Sequence, residues 1–404
     1  MKSLLMSLLC FFVVVSACAE SELDNGYNLK HKLVLDPTSN IEAMVYDARY
    51  VHHMAHKGVD FWLGIQYPTH TLHPLDVLWD FYSTFLVSVT ITHELGHYVR
   101  VQEYGGNMEV KPVDLLRPGF IPGHITLPPS ATDDERHIVH LGGFEGNSIY
   151  AFQQEKSFLV YQAVRPDTLP AYIVNKLFYP LYAYVIKPVS SGSDLQVWNE
   201  AGDPKNHVFF VYKRQGNPVL LDGQFPVIEG NVPAGVKGLH GELKEKSLYT
   251  LLDPSLLWSF YAMWSIDKYV RPPIIKISDN FSWIYGVQFV PSIFGYDMYA
   301  TQYMKVFDYD ISLYLRDGGP MKSEGWGASV NNLVELGSVV VGLDYETWDQ
   351  DTYGSGKSYS IFGDIGVGKS WGVTMKVSKK DSGYLIGQPL DSATIGYVGM
   401  TYSF

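Results

Sequence analysis

Cysteine is nearly absent from this 404-residue chain, and its scarcity excludes several kinds of site. The two cysteines, Cys10 and Cys18, both lie within the first nineteen residues. A disulfide needs two thiols, and a thiolate metal site or a cysteine nucleophile needs at least one. Beyond residue 19 the chain therefore offers no disulfide, no thiolate metal site and no thiol nucleophile.

Charged side chains are also sparse, at 18% of the residues, and the net charge is -12. A surface that binds nucleic acid is normally basic, so this balance argues against a nucleic-acid partner. The chain contains 29 tyrosines and 37 glycines instead. Few charges with many tyrosines and glycines are more typical of a β-rich envelope protein than of a soluble cytosolic enzyme.

The first nineteen residues are predicted to be a signal peptide. Lys2 supplies a short basic segment, and residues 4–15 form an apolar core that is too short to cross a membrane. Residues 17–19 fit cleavage by ordinary signal peptidase, whereas residues 15–18 resemble a bacterial lipobox that would leave Cys18 lipidated. Both routes predict export across the inner membrane, to the periplasm or the outer membrane.

An apolar helix is predicted between Leu75 and Gly106. Pro74 and Asp76 suit its start, because proline is tolerated in the first turn and an acidic residue favours the helix dipole. Gly105 suits its end. The residues between these limits are too apolar for a helix that faces water, so we expect it to lie in a core or against lipid.

Near the C-terminal end of this helix the sequence reads HELGH at residues 93–97. Residues four apart lie on one face of a helix, so His93 and His97 can both direct a ring nitrogen at one metal ion. Glu94 would then stand beside the metal, where a carboxylate can accept a proton from water. A pair of surface histidines with a solvated glutamate is the simpler alternative.

Residues 93–105 resemble the H-E-x-G-H-x3-A-x3-G signature of zinc metallopeptidases, especially the site-2-protease-like ones. The sequence departs from that signature at Val101, where those enzymes prefer a small residue. The rest of the chain does not resemble a polytopic site-2 protease. The resemblance thus implies zinc and peptide-bond hydrolysis, without implying cleavage inside a membrane.

A second helix is predicted to begin at Thr132, which has capping-box spacing to Glu135. This helix contains Gly142, Gly143 and Gly146, and each glycine costs about 1 kcal/mol relative to alanine. Close packing against the first helix is the expected compensation. Gly142 and Gly146 share a face, so we expect this face to make the contact and Gly143→Ala to leave metal binding largely intact.

Glu145 is the predicted third ligand, because a catalytic zinc needs three protein ligands and one open position. Residues 145–148 resemble the E-x-x-[SA] element that supplies the glutamate ligand in gluzincin metallopeptidases. Ile149 stands where those families have an aspartate that orients a zinc-binding histidine. The alternative role for Glu145 is a buried carboxylate paired with Arg136 or with a histidine.

Two other carboxylates compete for the same role. Residues 217–223 resemble a shortened form of the N-x2-P-x3-L-D-G element of site-2 proteases, which makes Asp222 a candidate. The flanking segments, 209–212 and 225–227, read as strands of a hairpin. Asp194 lies in a loop rich in serine and glycine and is the weaker alternative.

The remaining histidines have lesser predicted roles. His137 and His140, together with Tyr98, are candidates for stabilising an oxyanion. The histidines at positions 52, 53 and 56 are expected to be solvated, because scattered histidines in a polar segment usually are.

From about Pro272 the sequence alternates with a period of two. Residues 371–378 and 397–404 set apolar side chains against small or polar ones, which is the pattern of a transmembrane β-strand. A terminal aromatic such as Phe404 after such a strand resembles bacterial outer-membrane proteins. Turn residues between the segments predict seven to ten antiparallel strands, in a barrel or in a soluble sheet that packs on the helices.

The sequence therefore predicts an α+β fold in three segments. Residues 1–19 form the signal peptide, and residues 20–271 form a mainly helical, zinc-metallopeptidase-like domain. Residues 272–404 form an antiparallel β-rich domain that is expected to be barrel-like.

The predicted function is zinc-dependent hydrolysis of a peptide or protein substrate in the bacterial cell envelope. Zinc would be held by His93, His97 and Glu145, and Glu94 would act as general base. Membrane association is expected. The alternative function is a non-enzymatic outer-membrane protein (a channel, adhesin or scaffold) with a structural or vestigial metal site.

Overall fold

The computed structural model describes residues 30–35, 40–64, 74–109, 124–185, 203–222, 225–227, 233–265, 267–368 and 370–403. The predicted signal peptide, Asp194 and Phe404 lie outside the described residues. The helices are α1 (Ile41–Leu63), α2 (Pro74–Phe85), a π-helix (Leu86–Glu94), α3 (Leu95–Glu103), α4 (Asp133–Tyr161), α5 (Leu169–Lys176), α6 (Phe178–Val185), α7 (Asp203–Arg214), α8 (Ala234–Ser247) and α9 (Pro254–Ala262). Short 3₁₀ turns cover Pro166–Thr168 and Leu248–Leu252.

The strands fall into one large sheet and two small hairpins. Their bounds are β1 (Lys30–Val34), β2 (Asn107–Glu109), β3 (His124–Thr126), β4 (Leu220–Asp222), β5 (Phe225–Val227), β6 (Ile275–Ser278), β7 (Phe281–Ser292), β8 (Gly295–Val306), β9 (Tyr309–Pro320), β10 (Ser323–Leu336), β11 (Val339–Gln350), β12 (Gly354–Gly366), β13 (Trp371–Lys380) and β14 (Ala393–Ser403). The hairpins pair β2 with β3 and β4 with β5.

The large sheet has ten antiparallel strands in the order β1-β14-β13-β12-β11-β10-β9-β8-β7-β6. Nine of these strands follow Pro272, within the predicted range of seven to ten. The tenth is β1, which precedes the helices and pairs with β14. The prediction of a helical part followed by an antiparallel sheet is thus confirmed, with β1 added to the sheet from the other end of the chain.

The predicted period of two in the last third is confirmed by the burial of alternate side chains. In β13, Met375 and Val377 are exposed, whereas Thr374 and Ser378 are buried. Successive side chains in a strand point to opposite faces, so the sheet has one face toward the helices and one apolar face turned away from them. The exposed apolar residues recur on neighbouring strands, as in Leu315 of β9.

Helix α4 runs through the middle of the helical part. It starts with the predicted capping box, in which the Thr132 side chain accepts from the Glu135 backbone N–H and the Glu135 side chain accepts from the Thr132 backbone N–H. Buried apolar residues on its two sides belong to separate clusters, one containing Phe144 and the other Phe158. A helix with core on both sides needs no polar face. This accounts for the buried residues on every side of α4 along most of its length to Tyr161.

The prediction of a hairpin between residues 209–212 and 225–227 is wrong in part. Residues 209–212 lie in helix α7, because a short apolar run does not distinguish a strand from a buried helix. Residues 225–227 do form a strand, but its hairpin partner is β4 and not residues 209–212. Within the described residues, none of the helices is both long enough and apolar enough to span a membrane.

Candidate metal centre

The helix that carries residues 93–97 is continuous but not uniform. Helix α2 passes into the π-helix at Leu86, and the π-helix passes into α3 at Leu95. The Thr92 hydroxyl lies 2.9 Å from the Val87 carbonyl oxygen, five residues back, which fits the wider turn. Turns of π-helix are frequent at functional sites because they change which side chains share a face. Here the change of helix type falls between Glu94 and Leu95.

The structure brings His93 and His97 together in a buried position. Their Nε2 atoms are 3.3 Å apart, and the exposed fractions of the two residues are 3% and 4%. The two rings are nearly perpendicular, with an angle of 88° between their planes. The His93 ring also packs on the rings of Phe144 and Phe178, and these contacts restrict its orientation.

The hydrogen-bond partners determine where each imidazole holds its proton. His93 Nδ1 lies 2.9 Å from Asn147 Oδ1, and the Asn147 amide is oriented by its Nδ2 donating to the Ser88 carbonyl oxygen at 2.7 Å. Asn147 Oδ1 can only accept, so His93 Nδ1 donates. His97 Nδ1 lies 2.7 Å from the Val139 carbonyl oxygen and also donates.

Two neutral histidines in this arrangement direct their Nε2 lone pairs at one another. Each ring has its single proton on Nδ1, so neither Nε2 can donate to the other. Two facing lone pairs repel, and a cation between or beside them removes the repulsion. An Nδ1–H group that donates to an oxygen acceptor is also the usual orientation of a histidine that binds a metal through Nε2. The pair therefore fits the histidine part of a zinc site.

A second histidine pair with the same spacing provides a comparison within the molecule. His52 and His56 of α1 place their Nε2 atoms 2.9 Å apart. His56 Nδ1, however, lies 3.2 Å from Asp80 and 3.6 Å from Asp167. Burial opposes protonation of His56, but the two carboxylates outweigh it and raise its pKa.

The pKa of His52 is lowered well below its usual value, mainly by burial. Its Nδ1 faces the hydroxyl of Tyr150 at 3.3 Å. Charged His56 can therefore donate from Nε2 to neutral His52, and a proton alone accounts for this pair. The prediction that these histidines are solvated is wrong, because 52, 53 and 56 are all buried. In the other pair, His93 Nδ1 and His97 Nδ1 face neutral oxygens, those of the Asn147 side chain and the Val139 backbone.

Glu145 is held by Arg100. Its carboxylate accepts from Arg100 Nε at 2.7 Å and from Arg100 Nη2 at 2.8 Å, and the Gly387 backbone N–H donates to it at 3.2 Å. Both side chains are buried, with exposed fractions of 1% for Arg100 and 0% for Glu145. This bidentate pair favours the alternative role considered for Glu145, a buried ion pair, although the partner is Arg100 and not Arg136.

Four other predicted site residues lie on the helix of the histidine pair or on α4. Glu94 is half-buried next to His93, and Tyr98 is half-buried one turn further along. His137 donates from Nε2 to His207 Nδ1 at 2.8 Å, because His207 Nε2 donates to the Gly295 carbonyl oxygen at 2.7 Å. This chain of hydrogen bonds connects His137 to the sheet.

His140 is buried beside Phe210 of α7. The backbone of Asp222 lies in β4, and its side chain falls outside the described residues. In the described part of the chain, no three or more His, Cys, Asp or Glu side chains are grouped to hold a metal.

The predicted glycine contact between the two helices is present. A Cβ added at Gly142 would lie 2.6 Å from the Gly96 carbonyl oxygen, and one added at Gly146 would lie 2.2 Å from the Thr92 carbonyl oxygen. The prediction for Gly143→Ala assumed that Gly143 lies away from the histidines, and the structure contradicts that assumption. A Cβ added there would lie 2.6 Å from the His93 ring, because that ring extends across the helix face next to the backbone contact.

This placement predicts that Gly143→Ala weakens metal binding. The added methyl group would push the His93 ring away from Asn147, and loss of such a support typically lowers metal affinity by about tenfold or more. Metal affinity can be measured by competition with a coloured chelator. Gly241→Ala is the matched control, because Gly241 lies in α8 with nothing within 4 Å of an added Cβ. Equal metal affinity in the two variants would contradict the placement of His93.

In comparisons with known proteins, no family model, no curated protein and no solved structure matches the sequence.

Proposed function

We propose that the protein is a zinc-dependent peptidase of the bacterial cell envelope. The observation that supports this most is the orientation of His93 and His97, whose Nδ1 atoms donate to oxygen acceptors while their Nε2 atoms converge at 3.3 Å. The HELGH sequence adds the glutamate that such a site needs. The second histidine pair lacks this combination, since carboxylates supply it with a proton.

In this proposal His93 and His97 hold the metal, and each has a defined support. Asn147 keeps the proton of His93 on Nδ1, and the Val139 carbonyl oxygen does the same for His97. Bound zinc would supply Lewis-acid chemistry that activates water toward a peptide carbonyl. Glu94 would accept the proton that the water loses and transfer it to the leaving amine.

The third ligand in this proposal is a carboxylate outside the α3–α4 contact. Glu145 already has both oxygens bound by Arg100, so its use as a ligand would break a buried bidentate ion pair. Asp222 and Asp194 are the two other candidates from the sequence. Of these, Asp222 belongs to the sequence element that resembles a ligand-bearing one, and we favour it.

Metal analysis of the purified protein tests the proposal directly. We expect about one equivalent of zinc in the wild type and a loss of most of it in His93→Ala and in His97→Ala, because each removes one of three ligands. Asp222→Ala should lose zinc as well, whereas Glu145→Gln should retain it in the folded fraction. Far-UV circular dichroism shows whether each variant is folded. A folded wild type that takes up no zinc would refute the proposal.

We also propose that the sheet forms an outer-membrane, barrel-like domain whose outward face contacts lipid. Leu315, Ile361 and Val398, on three different strands, are exposed by 67%, 55% and 51%. Polar residues lie on the opposite face, and Asp297 and Arg316 are buried there. Apolar side chains outside and charged ones inside are typical of strands in an outer membrane.

Cell fractionation and a charge substitution test this location. We expect the protein to purify with outer membranes and Leu315→Arg to impair its assembly there, since arginine on a lipid-facing strand costs about 2–4 kcal/mol near the bilayer centre. Lys213→Met, on the helical surface, is a control that should leave assembly unchanged. If the sheet faces water instead, Leu315→Arg will fold normally and the wild type will appear in the periplasmic fraction.

A further inference from the structure

Two adjoining cavities lie between the sheet and the helices α1 and α4. Their volumes are about 250 and 310 Å³, and they share a wall of residues from both layers. The shared residues are Glu42, Tyr46, Gln153, Lys156, Lys376 and Tyr397. The larger cavity also reaches Lys30, which is exposed, so it opens toward solvent. Its size is at the lower end of the range for small-molecule sites.

Several cations line the larger cavity, and two of them have carboxylate partners. Lys376 Nζ lies 2.8 Å from Glu42 and 3.3 Å from Asp344. Lys32 Nζ lies 3.2 Å from Asp364. These ion pairs account for the charges of both lysines.

Arg49 and Lys156 line the same cavity and have no carboxylate partner in the described part of the chain. Arg49 Nη2 donates to Gln154 Oε1 at 2.9 Å and to Ser157 Oγ at 3.2 Å, and both acceptors are neutral. The ammonium of Lys156 lies 5.4 Å from the centre of the Phe362 ring. Both cations are therefore held at the cavity by uncharged groups.

The environment of these two residues opposes their charge. Burial lowers the pKa of Lys156, and Asp344, the carboxylate that acts most strongly in the other direction, already pairs with Lys376. Burial also lowers the pKa of Arg49, and only tyrosine hydroxyls act against it. Both side chains are half-buried, and a bound anion would offset the cost of partly removing their charges from water.

We propose that this cavity binds a phosphate group, either as free phosphate or as the headgroup of a lipid. A phosphate carries between one and two negative charges near neutral pH, which matches the combined charge of Arg49 and Lys156. Arg49 Nη2 already donates to Gln154 and Ser157, so its Nε and Nη1 are the donors for phosphate oxygens. The ammonium of Lys156 can serve as a point charge. The site is separate from the histidine pair and does not depend on the proposed peptidase activity.

Calorimetric titration of the full chain tests this site with three probes: inorganic phosphate, dihexanoyl phosphatidic acid and dihexanoyl phosphatidylcholine. We expect Lys156→Met and Arg49→Met each to weaken binding of the phosphate probes by about tenfold or more, the usual effect of losing a charge-assisted hydrogen bond. Lys213→Met should bind as the wild type does. Binding of inorganic phosphate identifies the free ion as the ligand, and binding of phosphatidic acid alone identifies the lipid headgroup.

Three results would overturn the proposal. They are no binding of either phosphate probe at millimolar concentration, unchanged affinity in both methionine variants, and equal affinity for phosphatidylcholine, which would indicate capture of the acyl chains. If a methionine variant does not fold, Lys156→Arg retains the charge and should retain binding. In the wild type, phosphate should raise the melting temperature more than chloride does at equal ionic strength, and the absence of that difference would also contradict the site.

Discussion

Glu94→Gln should abolish most hydrolysis while leaving the metal in place. Glutamine is nearly isosteric with glutamate but cannot accept a proton, so the variant isolates the proposed base from the metal site. Loss of a general base typically lowers the rate by about 10²–10⁴-fold. The measurement is the release of labelled peptides from a denatured protein substrate, together with the zinc content of the same preparations.

A matched control for this variant is Glu109→Gln, which makes the same chemical change on an exposed residue of the β2 strand. It should cleave at the wild-type rate. Wild-type cleavage by zinc-loaded Glu94→Gln would show that Glu94 is not the base. Loss of zinc from Glu94→Gln would instead give the residue a role in holding the metal, against the division of roles proposed above.

Among the variants proposed here, those that break the Arg100–Glu145 ion pair should lower the free energy of unfolding most. Both side chains are buried, and removal of one partner from a buried ion pair typically costs about 3–5 kcal/mol. Arg100 keeps its ion pair with Glu103 after Glu145→Gln, so that variant should lie at the lower end of the range. We expect Glu145→Gln and Arg100→Met to lower the free energy of unfolding by amounts in this range. Urea titration followed by circular dichroism measures the effect.

The double variant Arg100→Met/Glu145→Leu distinguishes an ion pair from a metal ligand. It removes both charges, so it should recover much of the lost stability and still bind zinc in the folded state. A ligand role for Glu145 makes the opposite prediction: the double variant would lose zinc, and Glu145→Gln would lose zinc with little change in the stability of the metal-free protein. Arg100 also donates to Glu103 and to the Gln388 carbonyl oxygen, which limits the recovery.

Local features of the fold were predictable from the sequence because neighbouring residues determine them. The capping box at Thr132 and the alternation in β13 depend on side chains a few positions apart, and both are present. The prediction of a strand at residues 209–212 was wrong because it also relied on neighbouring residues alone. Four apolar residues cannot distinguish a strand from a helix packed on a core. The long-range context that decides between them is not visible in such a window.

The prediction that Glu145 pairs with Arg136 or a histidine was wrong for a different reason. Arg100 is 45 residues away, and it meets Glu145 only because Gly96 and Gly142 allow the two helices to approach closely. The glycines predicted this approach but not which polar groups would be trapped beside it. Similarly, the burial of His56 in α1 was not predictable from its neighbours in sequence, since its carboxylate partners Asp80 and Asp167 lie on other elements.

The pairing of β1 with β14 has a consequence for how the protein folds. Lys30 lies opposite Ser403, so this pairing joins segments from the two far ends of the described chain. The conformational entropy lost on closing a loop increases with its length, and contacts between distant segments slow folding. In contrast, β7 to β14 are joined by hairpins that can form locally as each strand follows the last. We therefore expect β1 to dock last, onto a sheet already formed by its other nine strands.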